Sequence, residues 1–130
     1  SNLKKFGFKN TSNITSLSEM CKSCKSLEEF PYFDTSGVVT FYYMCYGCSS
    51  LVTVPVLNTS KITDMDFAFK DCTSLSDESL NNIMQMCINA INYTSTKTLV
   101  KIGLSSSQAT RCQSLSNYQA FLDAGWTTGY

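Results

Sequence analysis

Val38-Val39-Thr40-Phe41-Tyr42-Tyr43-Met44-Cys45-Tyr46-Gly47-Cys48-Ser49-Ser50-Leu51 is the stretch from which the rest of the chain is read. Moved back by 24 residues it lies on Ile14 to Leu27, and moved forward by 24 it lies on Ile62 to Leu75. Leu3, Leu27, Leu51 and Leu75 share one column, as do Phe6, Phe30 and Val54. Thr11-Ser12, Thr35-Ser36 and Thr59-Ser60 recur together, followed by Ile14, Val38 and Ile62. Leu17, Phe41 and Met65 come next, then Met20, Met44 and Ala68, and Cys24, Cys48 and Cys72 close the units. So many columns at one offset define an internal repeat.

A unit of 24 residues is too short to bury its own apolar face, so neighbours must stack and share a continuous core. The expected fold class is therefore α/β, a solenoid with 24-residue repeats and a helical C-terminal cap. Within each unit the Ser-Leu-x-x-Phe/Val-Pro segment reads as a short strand, with Leu27, Phe30 and Tyr32 inward and Leu51, Val54 and Val56 matching them. A bend near Phe30 accommodates the slip in that alternation. Pro31 and Pro55 lack a ladder donor and end the pairing. The Asp/Asn-Thr-Ser segments are turn chemistry. The apolar spacing of 38, 41, 44, 45 and 48 predicts a short helical turn.

The units Val38 to Leu51 and Asn58-Thr59-Ser60-Lys61-Ile62-Thr63-Asp64-Met65 resemble BspA-like leucine-rich repeats, typified by phrases such as "MFYGCSSL" and "NTSKVTDM". The resemblance spans about Leu3 to Leu75 and departs at Cys45, where that family usually has phenylalanine; Phe69 keeps the usual residue. It implies a right-handed leucine-rich-repeat solenoid of a bacterial, protist or phage surface protein.

Beyond Leu75 the period is lost, which divides the chain into repeats over 1–75, with a partial first unit, and a capping region over 76–130. Ser76-Asp77-Glu78-Ser79 begins a helix whose inner face is Leu80, Ile83, Met84, Cys87, Ile88 and Ile91. Thr98 to Leu104 reads as a strand, and Ser105-Ser106-Ser107 opens a second helix presenting Ala109, Cys112, Leu115, Tyr118, Phe121 and Leu122. Gly125 stands where a C-terminal cap glycine belongs, and Trp126 to Tyr130 reads as a last strand. That ending resembles the segments that follow such repeats in gut bacterial and phage proteins, which implies that Tyr130 is a natural terminus. The N-terminal side has no matching cover, so the upstream part of the same polypeptide is an expected partner there.

Composition narrows the function classes. The 130 residues are 43% hydrophobic and 15% charged, with ten basic and ten acidic side chains and no histidine. Zero net charge gives no general attraction to nucleic acid or to an anionic membrane, and no apolar run is long enough for membrane insertion. The absence of imidazole removes histidine bases and histidine metal sites. Cys21-x-x-Cys24 and Cys45-x-x-Cys48 have the look of a four-cysteine zinc ribbon, but both are one column of the repeat and the third copy reads Phe69-x-x-Cys72. Phenylalanine replaces a buried thiol, not a zinc ligand, so stacked core cysteines are the expectation and no metal is assigned. Neighbouring coils lie close enough for a Cys24–Cys48 or Cys21–Cys45 disulfide on distance alone. Asp64, Asp66 and Asp71 lack the glycine and closing glutamate of a helix-loop-helix calcium site. The four Asn-x-Ser/Thr sequons at Asn10, Asn13, Asn58 and Asn92 follow from composition.

No phosphate loop, nucleophile elbow or carboxylate pair stands at a plausible site, so no enzyme, catalytic residue or cofactor is expected. What remains is a surface. Repeats present equivalent side chains as rows, of which Lys5, Glu29 and Thr53 make one and Lys4, Glu28 and Val52 another. Tyr42, Tyr43 and Tyr46 cluster in one unit, with Tyr32 and Phe33 expected nearby. Tyrosine gives large contact area with a polar tip, so Tyr42, Tyr43, Tyr46, Tyr32, Glu29 and Thr53 are the candidate binding residues. The expectation is a non-enzymatic binding or adhesion module, extracellular, at a cell surface or virion-associated, that recognises host protein or carbohydrate. The alternative is a structural spacer or assembly segment of a larger surface protein.

Overall fold

The computed structural model describes residues 3–95 and 100–129. Its organisation starts from one side-chain habit. Ser16, Thr40 and Asp64 occupy one column, and each accepts from the backbone N–H two residues on, at 3.2, 3.1 and 2.9 Å. This local bond starts a turn. It sits beside single parallel bridges Ser16↔Thr40 and Thr40↔Asp64, each at the 24-residue offset.

From there the chain runs through consecutive turns in which amides take two roles. Those of Leu17, Glu19, Cys21 and Ser23 donate to the carbonyls of Thr40, Tyr42, Met44 and Tyr46, at 2.7 to 3.0 Å. Those of Phe41, Tyr43, Cys45 and Gly47 donate in the same way to Asp64, Asp66, Ala68 and Lys70. The alternate amides of Met44, Tyr46 and Cys48 close local bonds to residues three back. The alternation needs left-handed backbone at two columns. Glu19, Tyr43 and Phe67 have φ of 59°, 56° and 57°, and Ser23, Gly47 and Asp71 have 60°, 73° and 62°. The helical turn expected over 38–48 is therefore replaced by a spiral of turns, because half of its amides bond the neighbouring unit instead of their own.

On the other side of each unit a single bridge joins Glu29 to Thr53. The apolar spacing here is three, not two. Leu27, Phe30 and Phe33 are buried, as are Leu51, Val54 and Leu57. Tyr32, expected inward, is 71% exposed, and Val56 is only half-buried. Pro31 and Pro55 have no amide to hold a pleat against the next unit, so the two-residue alternation is not enforced past Phe30 and Val54.

Buried polar columns bind unit to unit. Thr11 and Thr35 hydroxyls donate to the carbonyls of Asp34 and Asn58, at 3.1 and 2.7 Å. Cys48 and Cys72 thiols donate to Cys21 and Cys45 carbonyls, at 2.9 and 3.0 Å. All seven cysteines are thiols, and Cys24 alone is not fully covered. Burial pushes the Cys45 and Cys87 thiols well above their ordinary value.

The C-terminal region takes over where a fourth unit would stand. Helix α1 (Asp77–Asn89) is capped by Ser76, whose hydroxyl accepts from the Ser79 amide at 3.1 Å. Ser79, itself buried, donates to the Val52 carbonyl and accepts from the Val54 amide. Thr59 donates to the Met86 carbonyl near the end of α1, satisfying one of the orphan groups of a helix terminus. The helix stops at Ala90 and Ile91 opens the short α2 (Ile91–Thr94), 70% exposed, so its expected place on the inner face is lost.

The strand expected over 98–104 is limited to β1 (Val100–Lys101); its first two positions lie outside the described residues. It pairs in parallel with β2 (Trp126–Thr127), and Tyr130 also lies outside the described residues. The single helix expected after Ser105 is two, α3 (Ser106–Cys112) and α4 (Tyr118–Asp123). Between them the Asn117 backbone N–H donates to Asn81 Oδ1 at 2.9 Å and its side-chain amide donates to the Asn81 carbonyl at 3.1 Å, which anchors the break on α1. Ser105 and Gln108 form a capping box, and Gly125 has φ 95°.

Candidate functional site

The left-handed column turns Tyr43 and Phe67 outward from the spiral, and the rings that collect around them make one patch. Tyr42 and Tyr43 lie with ring centroids 4.4 Å apart, and Tyr46 stacks on Tyr43 at 5.0 Å. Phe67 meets Tyr43 edge to face at 5.3 Å. Two cations frame the patch: Lys22 Nζ stands 5.0 Å from the Tyr43 ring and Lys70 Nζ 5.2 Å from the Phe67 ring. All four rings are half-buried, which leaves faces and edges open while the ring bodies are held. Partial burial, with Tyr43 beside it, pushes the Tyr42 hydroxyl above its ordinary value.

Phe67 is fixed from below. Its ring lies over Gly103, where an added Cβ would come within 2.4 Å of Phe67 Cδ1, and its amide donates to the Ile102 carbonyl at 2.9 Å. A small depression of about 60 Å³ follows, lined by Asp66, Phe67, Lys101, Gly103 and Gly129. Phe67 escaped the reading of the sequence although it lies 24 residues beyond Tyr43, in the same column.

The six candidate residues fall into three groups. Tyr42, Tyr43 and Tyr46 form the aromatic patch. Glu29 and Thr53 are exposed and bridged to each other, and Lys4 lies 3.9 Å from Glu28 in the adjacent row. Tyr32 lines a separate shallow depression of about 270 Å³ with Val56, Leu57, Asn58, Thr59, Ser60 and Asn89. Among the described residues no hydrogen bond or ring contact joins Tyr32, or the Glu29–Thr53 row, to the aromatic patch. Phe33, expected beside the tyrosines, instead packs on Phe30 and Phe8 in the core of the first two units.

Among the described residues no three cysteine or acidic side chains are grouped to hold a metal ion. No helix there is long and apolar enough to cross a membrane. What the patch offers chemically is flat apolar area, phenolic hydroxyls and two ammonium groups. No curated protein and no solved structure matched the chain in comparison. Residues 1–101 match the family described as Mycoplasma protein of unknown function, DUF285, and the chain belongs to that family.

Proposed function

We propose that this chain is a non-enzymatic binding and adhesion module of an extracellular, surface-exposed or virion-associated protein, built on a BspA-like leucine-rich-repeat solenoid. The carrying observation is the half-exposed patch of Tyr42, Tyr43, Tyr46 and Phe67 between Lys22 and Lys70. Aromatic rings held by mutual stacking lose little freedom on association, so contact area converts efficiently into affinity. Rings with polar tips and adjacent cations suit a glycan face or a protein loop. The parallel bridges at the 24-residue offset support the repeat reading, and the resemblance of Val38 to Leu51 to BspA-like units supports the surface assignment.

The test is a screen of glycan arrays and host-cell surface extracts with the whole chain. For any ligand found, Tyr42→Ala with Tyr46→Ala is expected to weaken binding by about thirty-fold, or ~2 kcal/mol, with an unchanged circular dichroism spectrum. Binding that is indifferent to both substitutions, or no binding to any surface, contradicts the proposal. The second outcome favours a structural spacer, a reading that the uncovered Leu3, Phe8 and Met20 at the first unit also support.

A further inference from the structure

Tyr32 shares a column with Phe8 in the unit before it and Val56 in the unit after it. Phe8 packs on Phe33 at 4.4 Å, and Val56 is packed against the core. Tyr32 between them is 71% exposed, and among the described residues it makes no ring contact and no hydrogen bond. Units stand on both sides of it, so neither end of the stack accounts for its bare ring.

Two carboxamides stand beside it, each with its oxygen engaged. Asn58 Oδ1 accepts from the Ser60 amide at 2.9 Å and from the Ser60 hydroxyl at 2.7 Å. A backbone N–H can only donate, so these bonds fix which side of the amide is oxygen. Asn89, the last residue of α1, is set by a relay. Asn117 Nδ2 donates to the Asn81 carbonyl at 3.1 Å and to Gln85 Oε1 at 3.2 Å, and Gln85 Nε2 then donates to Asn89 Oδ1 at 2.9 Å. The Asn81 carbonyl can only accept, which sets the direction of every later bond. Among the described residues nothing accepts from Asn58 Nδ2 or Asn89 Nδ2. Tyr32, Asn58, Ser60 and Asn89 all line the depression of about 270 Å³, and no charged residue lines it. One unit earlier Asp34 stands in place of Asn58 and accepts from the Ser36 amide at 2.9 Å, so there the turn is kept without a donor.

We infer that this depression is a binding site for a neutral saccharide, whose ring lies on Tyr32 while its oxygens accept from the Asn58 and Asn89 amides. The electron-rich face of tyrosine attracts the C–H face of a sugar ring. Open amide donors select a ligand rich in acceptors, and an uncharged lining gives an ionic ligand no advantage. The mainly polar lining offers no deep apolar pocket for a peptide side chain. The volume lies just below the range of about 300–1,000 Å³ that holds drug-sized ligands, which suits one sugar ring rather than an extended chain. This site is separate from the aromatic patch and does not depend on it.

The test is an NMR titration of the isotope-labelled whole chain with the methyl glycosides of glucose, galactose, mannose and N-acetylglucosamine. The titration runs to about 20 mM, the affinity range of one stacked ring and two hydrogen bonds. At least one glycoside is expected to shift the side-chain NH2 signals of Asn58 and Asn89. Tyr32→Ala is expected to weaken that glycoside about ten-fold with an unchanged backbone spectrum, and Tyr32→Phe to retain it. Asn58→Asp, which keeps the turn as Asp34 does, is expected to weaken it several-fold. Tyr42→Ala with Tyr46→Ala is expected to leave it unchanged, which separates this site from the patch. The inference is overturned if none of these glycosides moves the two NH2 signals, or if the shifts persist in Tyr32→Ala or Asn58→Asp. It is overturned too if a neutral blocked dipeptide moves them and the glycosides do not, which assigns the depression to a peptide.

Discussion

Tyr43 adopts left-handed backbone, φ 56°, which costs a bulky residue energy that glycine would avoid. The cost is met because its amide bonds Asp66 O and its ring joins three others. Ser23 shares the companion column with Gly47, at φ 60°, but its exposed side chain gains no comparable contact. Ser23→Gly is therefore expected to stabilise the fold by about 0.5–1 kcal/mol, the left-handed penalty less the added entropy of unfolded glycine. Urea unfolding reads this as a raised midpoint, and Gly47→Ala should move it the other way. A lowered midpoint for Ser23→Gly would contradict the backbone assignment. The column itself was open to reading from Gly47, but Glu19, Tyr43, Phe67 and Asp71 hide it, because glycine is used at only one of six equivalent places.

At the scale of elements, the repeat and the start of α1 were legible, since both rest on local signals: a fixed offset and a Ser-Asp-Glu N-cap. What was not legible depends on partners distant in sequence. The apolar spacing around Phe41 fits a helix equally well until Asp64, Asp66 and Ala68 are known to take its amides. Tyr32 and Val56 alternate correctly for a strand that no ladder sustains. The second capping helix breaks because Asn117 is held by Asn81, thirty-six residues away.

Gln108 shows how the cap is fastened. Its buried amide group accepts from the Asp71 and Ser105 backbone N–H groups and donates to the carbonyls of Phe69 and Cys72. Gln108→Leu leaves these groups unpaired in the interior and is expected to cost about 2–4 kcal/mol. Thermal unfolding measures the loss, and faster amide exchange at Asp71 locates it. A variant with unchanged stability would mean that the cap is seated by apolar packing alone.

For the whole molecule, the candidate surface was legible in part. The three tyrosines of one unit do meet, but no contact brings Glu29, Thr53 or Tyr32 to them, and Phe67 under Lys70, with Lys22 over Tyr43, completes the patch. Rows on a repeat scaffold are predictable by subtraction; their position around the coil depends on turn geometry that composition does not carry. The aromatic patch, the buried threonine column and the cap all presuppose one arrangement, in which each unit bonds the next at its own 24-residue register.

Through-hydrogen-bond scalar coupling in a labelled sample tests that arrangement most directly. The account predicts cross-peaks from the amide nitrogens of Cys21, Tyr43 and Cys45 to the carbonyl carbons of Met44, Asp66 and Ala68. Couplings from these amides to carbonyls within their own unit would contradict it.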